Sequence, residues 1–264
     1  MRWVLKPSEA VVPVVACLPH GGAEYPAGLA GALLVSPEAL WSDWLTGDLY
    51  DFLPALGITT LTTPFSRFVA DVNRDPDGEQ HGSFWSSVVP ASLPDGEPVY
   101  RRELTPAEIR HRIRLAHEPF HRALDETVGR LLGEFPRILL LDLHSFGVPL
   151  NHDVILGDRR GLTARPEVTR TLAGAFASNG FAVALNERFT GGWTVRRFAS
   201  CERVDAIQIE LNQRRYLKSG HGAPSSNFKA TQHSLRSILA NVGLDPPARQ
   251  HWRRRQPAKR GRRQ

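Results

Sequence analysis

Leu139-Leu140-Leu141-Asp142-Leu143-His144-Ser145-Phe146 is an apolar run that ends in Asp-x-His-Ser. A short apolar run of this kind reads as a buried strand, and residues two apart on a strand point to the same face. Asp142 and His144 therefore look the same way, and a carboxylate beside a histidine is a usual arrangement around a protein-bound metal. A second apolar run, residues 11–18, closes on Pro19-His20-Gly21-Gly22. Two strand-end histidines from distant parts of the chain predict one site assembled within a single α/β domain.

Around these runs, strand-like and helix-like segments alternate. Ser36-Pro37-Glu38 starts a helix predicted to run to Leu56, and residues 58–64 form the next strand. Residues 66–98 hold Pro, Gly and Asp without periodicity, a long excursion of the kind that usually carries function. Thr105-Pro106-Ala107-Glu108 is a capping box opening a long helix through Leu131, with a kink predicted at Pro119. Strands at 137–144, 181–185 and 206–211 and helices at 166–178 and 229–242 complete the pattern. Such alternation argues for a largely parallel or mixed sheet covered on both faces, and the reading adopted is a three-layer α/β/α domain with a mixed central sheet, spanning residues 1–244.

At 264 residues, 41% hydrophobic and 23% charged, the chain can bury one sizeable core. Cys17 and Cys201 could pair only once, so a reducing cytoplasm is the expected setting. There is no apolar stretch of membrane-spanning length and no secretion-signal pattern, which predicts a soluble protein without a membrane partner. The net charge of +6 is concentrated at one end: residues 246–264 contain eight Lys or Arg and no acid, and the remainder is close to neutral. Residues 245–264 therefore read as a disordered basic tail with weak affinity for polyanions. A nucleic-acid-binding protein acting through this tail is the rival reading from another functional class.

A hydrolytic zinc site needs about three protein ligands and an open position. His20 and His144 supply two, and Glu24 or Asp43 is the candidate third. His117-Glu118-Pro119-Phe120-His121 formally matches H-E-x-x-H, but Pro119 disturbs the helical geometry that would aim both rings at one ion. His117 and His121 are instead expected to cover the surface of a kinked helix. Between Ser66 and Pro76, Arg67, Asn73 and Arg74 form a natural dock for an anion, and Gly191-Gly192-Trp193-Thr194-Val195-Arg196-Arg197 offers a second. In Ala206-Ile207-Gln208-Ile209-Glu210-Leu211-Asn212 the polar residues share one strand face, which suits Glu210 to act as a general base.

Together these blocks, with Gly96-Glu97-Pro98-Val99-Tyr100-Arg101, resemble the N-formylglutamate amidohydrolases, within the carboxypeptidase-like (phosphorylase/hydrolase-like) zinc hydrolases, from about Val14 to Leu217. The resemblance implies one zinc per chain and a zinc-activated water attacking an N-acyl bond. His20 and His144 are its implied ligands, with Asp43 ranked above Glu24 as the third and Asp48 behind both. Glu210 is the implied catalytic glutamate, and Arg67 the group that polarises the scissile carbonyl. Asn73 and Arg74 resemble the pair that holds the α-carboxylate, and Arg196 is the candidate for a side-chain carboxylate. Related chains commonly carry an acid four positions after Asp43, where this chain has Gly47. The implied reaction converts N-formyl-L-glutamate to formate and glutamate, in the setting of histidine catabolism. Another N-acyl amino acid or a short peptide is the alternative substrate.

Overall fold

The apolar run around Leu141 lies in the middle of the sheet. The computed structural model describes residues 11–34, 36, 41–218, 222–240 and 242. In chain order its strands and α-helices are β1 (Val14–Leu18), α1 (Thr46–Leu49), β2 (Thr59–Thr62), β3 (His81–Gly82), β4 (Val89–Pro90), α2 (Pro106–Arg112) and α3 (Glu118–Glu134). They continue with β5 (Ile138–Phe146), β6 (Val154–Gly157), α4 (Pro166–Ser178), β7 (Val183–Leu185), α5 (Trp193–Arg196), β8 (Val204–Asn212) and α6 (Phe228–Leu239).

Six of these strands form one sheet in the order β2-β1-β5-β8-β6-β7, and β3 pairs with β4 separately. All pairings in the large sheet are parallel except β6 with β8, so the sheet is mixed, as predicted. The alternation of β5 and β8 assigns their residues to two apolar layers. Leu139, Leu141, Leu143, Ile207, Ile209 and Leu211 pack with side chains of α1, α4 and α6. Ile138, Leu140, Val204 and Ala206 pack on the opposite side with Phe120, Leu124, Val128 and Leu131 of α3 and Val195 of α5. Each leucine buried this fully contributes about 1.5–3 kcal/mol. The three-layer arrangement follows from this two-sided burial.

The excursion after β2 carries its own apolar cluster, in which Phe68, Val69, Val88 and Val99 are fully covered. That small core holds the polar residues between 66 and 75 against the carboxyl ends of β1 and β5.

Several boundaries differ from expectation. Within the helix predicted over 36–56, residues 37–40 lie outside the described part, and the rest is helical only at α1 and in a 3-10 turn at Pro54–Leu56. Leu45 adopts a left-handed conformation, φ 58°, just before α1, which breaks the helix there. The capping box forms, with Glu108 N donating to Thr105 Oγ1 at 3.3 Å and Thr105 N donating to Glu108 Oε2 at 2.8 Å. The irregularity expected at Pro119 appears as a wide π turn over Ile113–His117, and Pro119 sits in the first turn of α3. Strand β6 is not distinguishable in the sequence, because four apolar residues between Asp153 and Asp158 carry too little periodicity. The tail at 245–264 lies outside the described residues. No described helix is long and apolar enough to cross a membrane.

Candidate metal centre and substrate cavity

Strands β1, β5 and β8 are parallel and end on the same side of the sheet. Register places His144 of β5 directly beside Glu210 of β8, and Asp142 beside Gln208. These four continue the face that packs under α3, so the layer that is apolar along Leu140 and Ala206 turns polar at the carboxyl end. His20 stands two residues beyond β1 and reaches the same place.

The two imidazoles meet there with Asp43. His20 Nδ1 lies 3.4 Å and His144 Nδ1 3.2 Å from Asp43 Oδ2, and the two Nδ1 atoms are 3.1 Å apart. The opposite ring nitrogens face carboxylates, His20 Nε2 at 2.8 Å from Asp71 Oδ1 and His144 Nε2 at 3.0 Å from Asp142 Oδ2. In the neutral rings those carboxylates take the Nε2 hydrogens, which leaves both Nδ1 lone pairs pointing at each other and at an anionic oxygen. Three such groups, with ligand atoms within 4.8 Å of one another, form a set that can hold a metal ion. Carboxylates that fix the outer nitrogens of metal-binding imidazoles are a regular feature of such sites. Of the other acids considered, Glu24 and Asp48 are exposed and outside this cluster.

Burial alone would raise the Asp71 carboxyl, but Arg67 and Arg74, helped by His20, outweigh it and hold the group well below the usual carboxylate range. Arg67 Nη2 donates to Asp71 Oδ2 at 2.5 Å, and Arg74 Nη2 lies 3.6 Å from the same oxygen. For Glu210, burial dominates and raises the carboxyl to about 8, opposed by His144 and reinforced by Asp43 and Asp142. Gln208 orients that carboxyl: its Oε1 accepts from Gly192 N at 2.7 Å, which turns its amide to donate to Glu210 Oε1 at 2.8 Å.

A cavity of about 410 Å³ opens beside the cluster. His20, Asp43, Arg67, Asn73, Arg74, His144 and Glu210 line it, with Trp41, Phe84, Trp85 and Phe189 as aromatic walls. Asn73 is held within the protein: its Nδ2 donates to Asp142 Oδ2 at 3.1 Å and its Oδ1 accepts from Thr194 N at 2.8 Å. Gly192 packs against it so closely that a Cβ would lie 2.5 Å from the Asn73 amide, and any side chain there would displace Asn73.

Arg196 is not brought to the cavity. It pairs with Asp75 and stacks 4.8 Å above Trp193, because α5 directs it away from His20, Asp43 and His144. Arg188, not singled out from sequence, lines the wall instead. Its guanidinium lies 5.9 Å from the rings of both Trp85 and Phe189, and among the described residues no acid pairs with it. It stands in an irregular turn after β7 with φ 57°, a setting that leaves no periodic trace in the sequence. Asp71 and Gln208 likewise have no role assigned from sequence, although Asp71 stands four residues after Arg67. His117 and His121, expected on a helix surface, are buried at 3% and 7% exposure, since both rings turn toward the loop that carries Asn73.

The chain is 33% identical over 258 residues to the N-formylglutamate deformylase of Pseudomonas aeruginosa, covering 92% of this chain and 97% of that protein. It is 30% identical over 231 residues to the N-formylglutamate deformylase of Pseudomonas putida, covering 83% and 86%. The crystal structure of N-formylglutamate amidohydrolase from Ralstonia eutropha JMP134 superposes with a TM-score of 0.80 at 27% identity, over 96% of this chain and 98% of that one. Residues 12–217 match the sequence pattern that defines N-formylglutamate amidohydrolase, and the chain belongs to that family of amide-cleaving hydrolases.

Proposed function

We propose that this protein is a zinc-dependent N-formylglutamate deformylase that hydrolyses N-formyl-L-glutamate to formate and L-glutamate. The observation that carries the reading is the convergence of His20, Asp43 and His144 on the wall of a cavity that also holds Glu210 and three arginines. The deformylase activity of the two Pseudomonas relatives supports the choice of substrate. Two imidazoles and one carboxylate are a donor set suited to zinc. A zinc ion held by them would polarise the amide carbonyl and lower the pKa of a water toward neutrality.

The chain's own residues divide the remaining work. Glu210 accepts the proton of the attacking water and returns it to the departing amine, a role suited to a carboxyl whose pKa burial has raised toward the working pH. Arg67, fixed on Asp71 and stacked 4.2 Å from the Phe84 ring, stabilises charge developing on the carbonyl oxygen. Arg74 binds the α-carboxylate, with Asn73 fixing the backbone from which Arg74 projects. Arg188 takes the side-chain carboxylate, the part proposed for Arg196 from sequence. Both cysteines are free thiols, in keeping with a reducing compartment such as the cytoplasm.

The direct test is formate release from N-formyl-L-glutamate, with metal content measured on the same sample. Turnover with about one zinc per chain is expected; a zinc-loaded chain that releases no formate would refute the substrate. Arg188→Gln is expected to raise KM for N-formyl-L-glutamate about 10- to 100-fold, the scale of a charge-assisted hydrogen bond. The same change should narrow the preference over N-formyl-L-glutamine, and competition kinetics between the two substrates reads it.

The carboxylates behind the imidazoles give a second test. Asp142→Asn is expected to weaken metal affinity about 10- to 100-fold, because the amide no longer supports the charge of the bound ligand ring. Titration with a chelator of known affinity measures that change.

A further inference from the structure

His117 and His121 are buried titratable groups that the metal cluster leaves unused. His117 Nε2 lies 2.9 Å from Arg74 O, and His121 Nε2 lies 2.7 Å from Val72 O. The carbonyl between them, Asn73 O, accepts from Trp193 N at 3.4 Å. Three consecutive carbonyls of one turn are therefore each met by a donor from another element. His121 Nδ1 faces Arg197 Nη1 at 2.8 Å, and Arg197 Nη2 donates to Asp125 Oδ2 at 2.9 Å. Arg197 can only donate, so the His121 hydrogen sits on Nε2, facing Val72. Burial, joined by the nearby His117 and Arg197, lowers His121 to about 3, and burial also lowers His117, so both rings stay neutral.

We infer that His117 and His121 are positioning residues, which fix the 71–74 turn by donating to the carbonyls on either side of Asn73. That turn is the common support of the centre. Asp71 orients His20, Asn73 anchors Asp142 behind His144, and Arg74 faces the cavity. Freeing the carbonyls lets the peptide planes at 72–74 rotate, which misdirects Arg74 before it disturbs the sheet. The H-E-x-x-H spacing in this chain thus serves a loop, with both Nε2 atoms spent on backbone and neither offering a lone pair to an ion.

The test compares, at each histidine, Met, which fills similar space without a donor, with Gln, which restores an N–H near the Nε2 position. Amide hydrogen exchange over residues 71–75 needs no substrate, so it decides this inference even if the deformylase reading on which its kinetic arm rests should fail. His117→Met and His121→Met are expected to speed exchange there at least tenfold, with β5 and β8 unchanged and the Gln variants within threefold of wild type. With N-formyl-L-glutamate, the Met variants should lose about tenfold in kcat/KM, chiefly through KM, and the Gln variants should recover most of it. Unchanged exchange in the Met variants, or equal losses in Met and Gln, would overturn the proposal. Should a Met variant not fold, Arg197→Met at the edge of the cluster decides. It releases the His121 tautomer and should speed exchange at 71–75 about threefold, and no change would overturn the proposal.

Discussion

Glu210→Gln is expected to lower kcat by about 10²- to 10⁴-fold, the range that a positioned general base supplies, while the chain binds its metal as before. Glutamine keeps the volume of the side chain and its place beside His144 in the β5–β8 register, so the sheet is undisturbed. It also keeps an acceptor for the Gln208 amide, which donates to Glu210 Oε1 at 2.8 Å. What it loses is the ability to take a proton and return it. The informative comparison is therefore kcat against metal stoichiometry on the same preparation. A variant that loses metal in parallel with turnover would move Glu210 from proton transfer to coordination.

His144→Ala is expected to do the reverse, with metal content falling first and turnover with it. Removing the ring takes away one of three converging donors and leaves Asp142, at 0% exposure, without its ring partner. Asp142 keeps the Asn73 Nδ2 donor, but losing a hydrogen bond to a buried charged group costs about 1.5–3 kcal/mol, so the melting temperature should drop as well. Metal analysis after dialysis, together with calorimetry, separates the two effects. His144→Ala and Glu210→Gln should thus dissociate metal binding from proton transfer, and a matching phenotype in both would argue against this division of roles.

The parts of this centre that can be read from sequence are those carried by strand ends. An apolar run that changes character at Asp142 or at Gln208 announces both the strand and the face on which its last side chains emerge. His20, His144 and Glu210 are identifiable for that reason. Asp43 is one of three acids in play, because choosing among them depends on how residues 41–45 fold back over β1 and β5, which no local pattern encodes. The arginines show the limit most clearly. Arg67 and Arg74 lie in one short loop and are legible together, whereas Arg188 and Arg196 exchange places between sequence and structure, since a left-handed turn and a four-residue helix decide which of them reaches the cavity. Strand β6 is hidden by its shortness, although its antiparallel pairing with β8 gives the sheet its mixed character.

The alternation along β8 ties architecture and chemistry to a common ruler. Val204 and Ala206 lie under the helical layer, and Gln208 and Glu210 emerge from the same side a few ångströms further on. Deleting one residue between Ala206 and Glu210 would therefore invert the remainder of the strand, sending the carboxylate toward α1 and presenting a neighbouring isoleucine or leucine to the imidazoles. Evolution can retune the loops that face the substrate one residue at a time, but the spacing inside this strand admits only changes in steps of two.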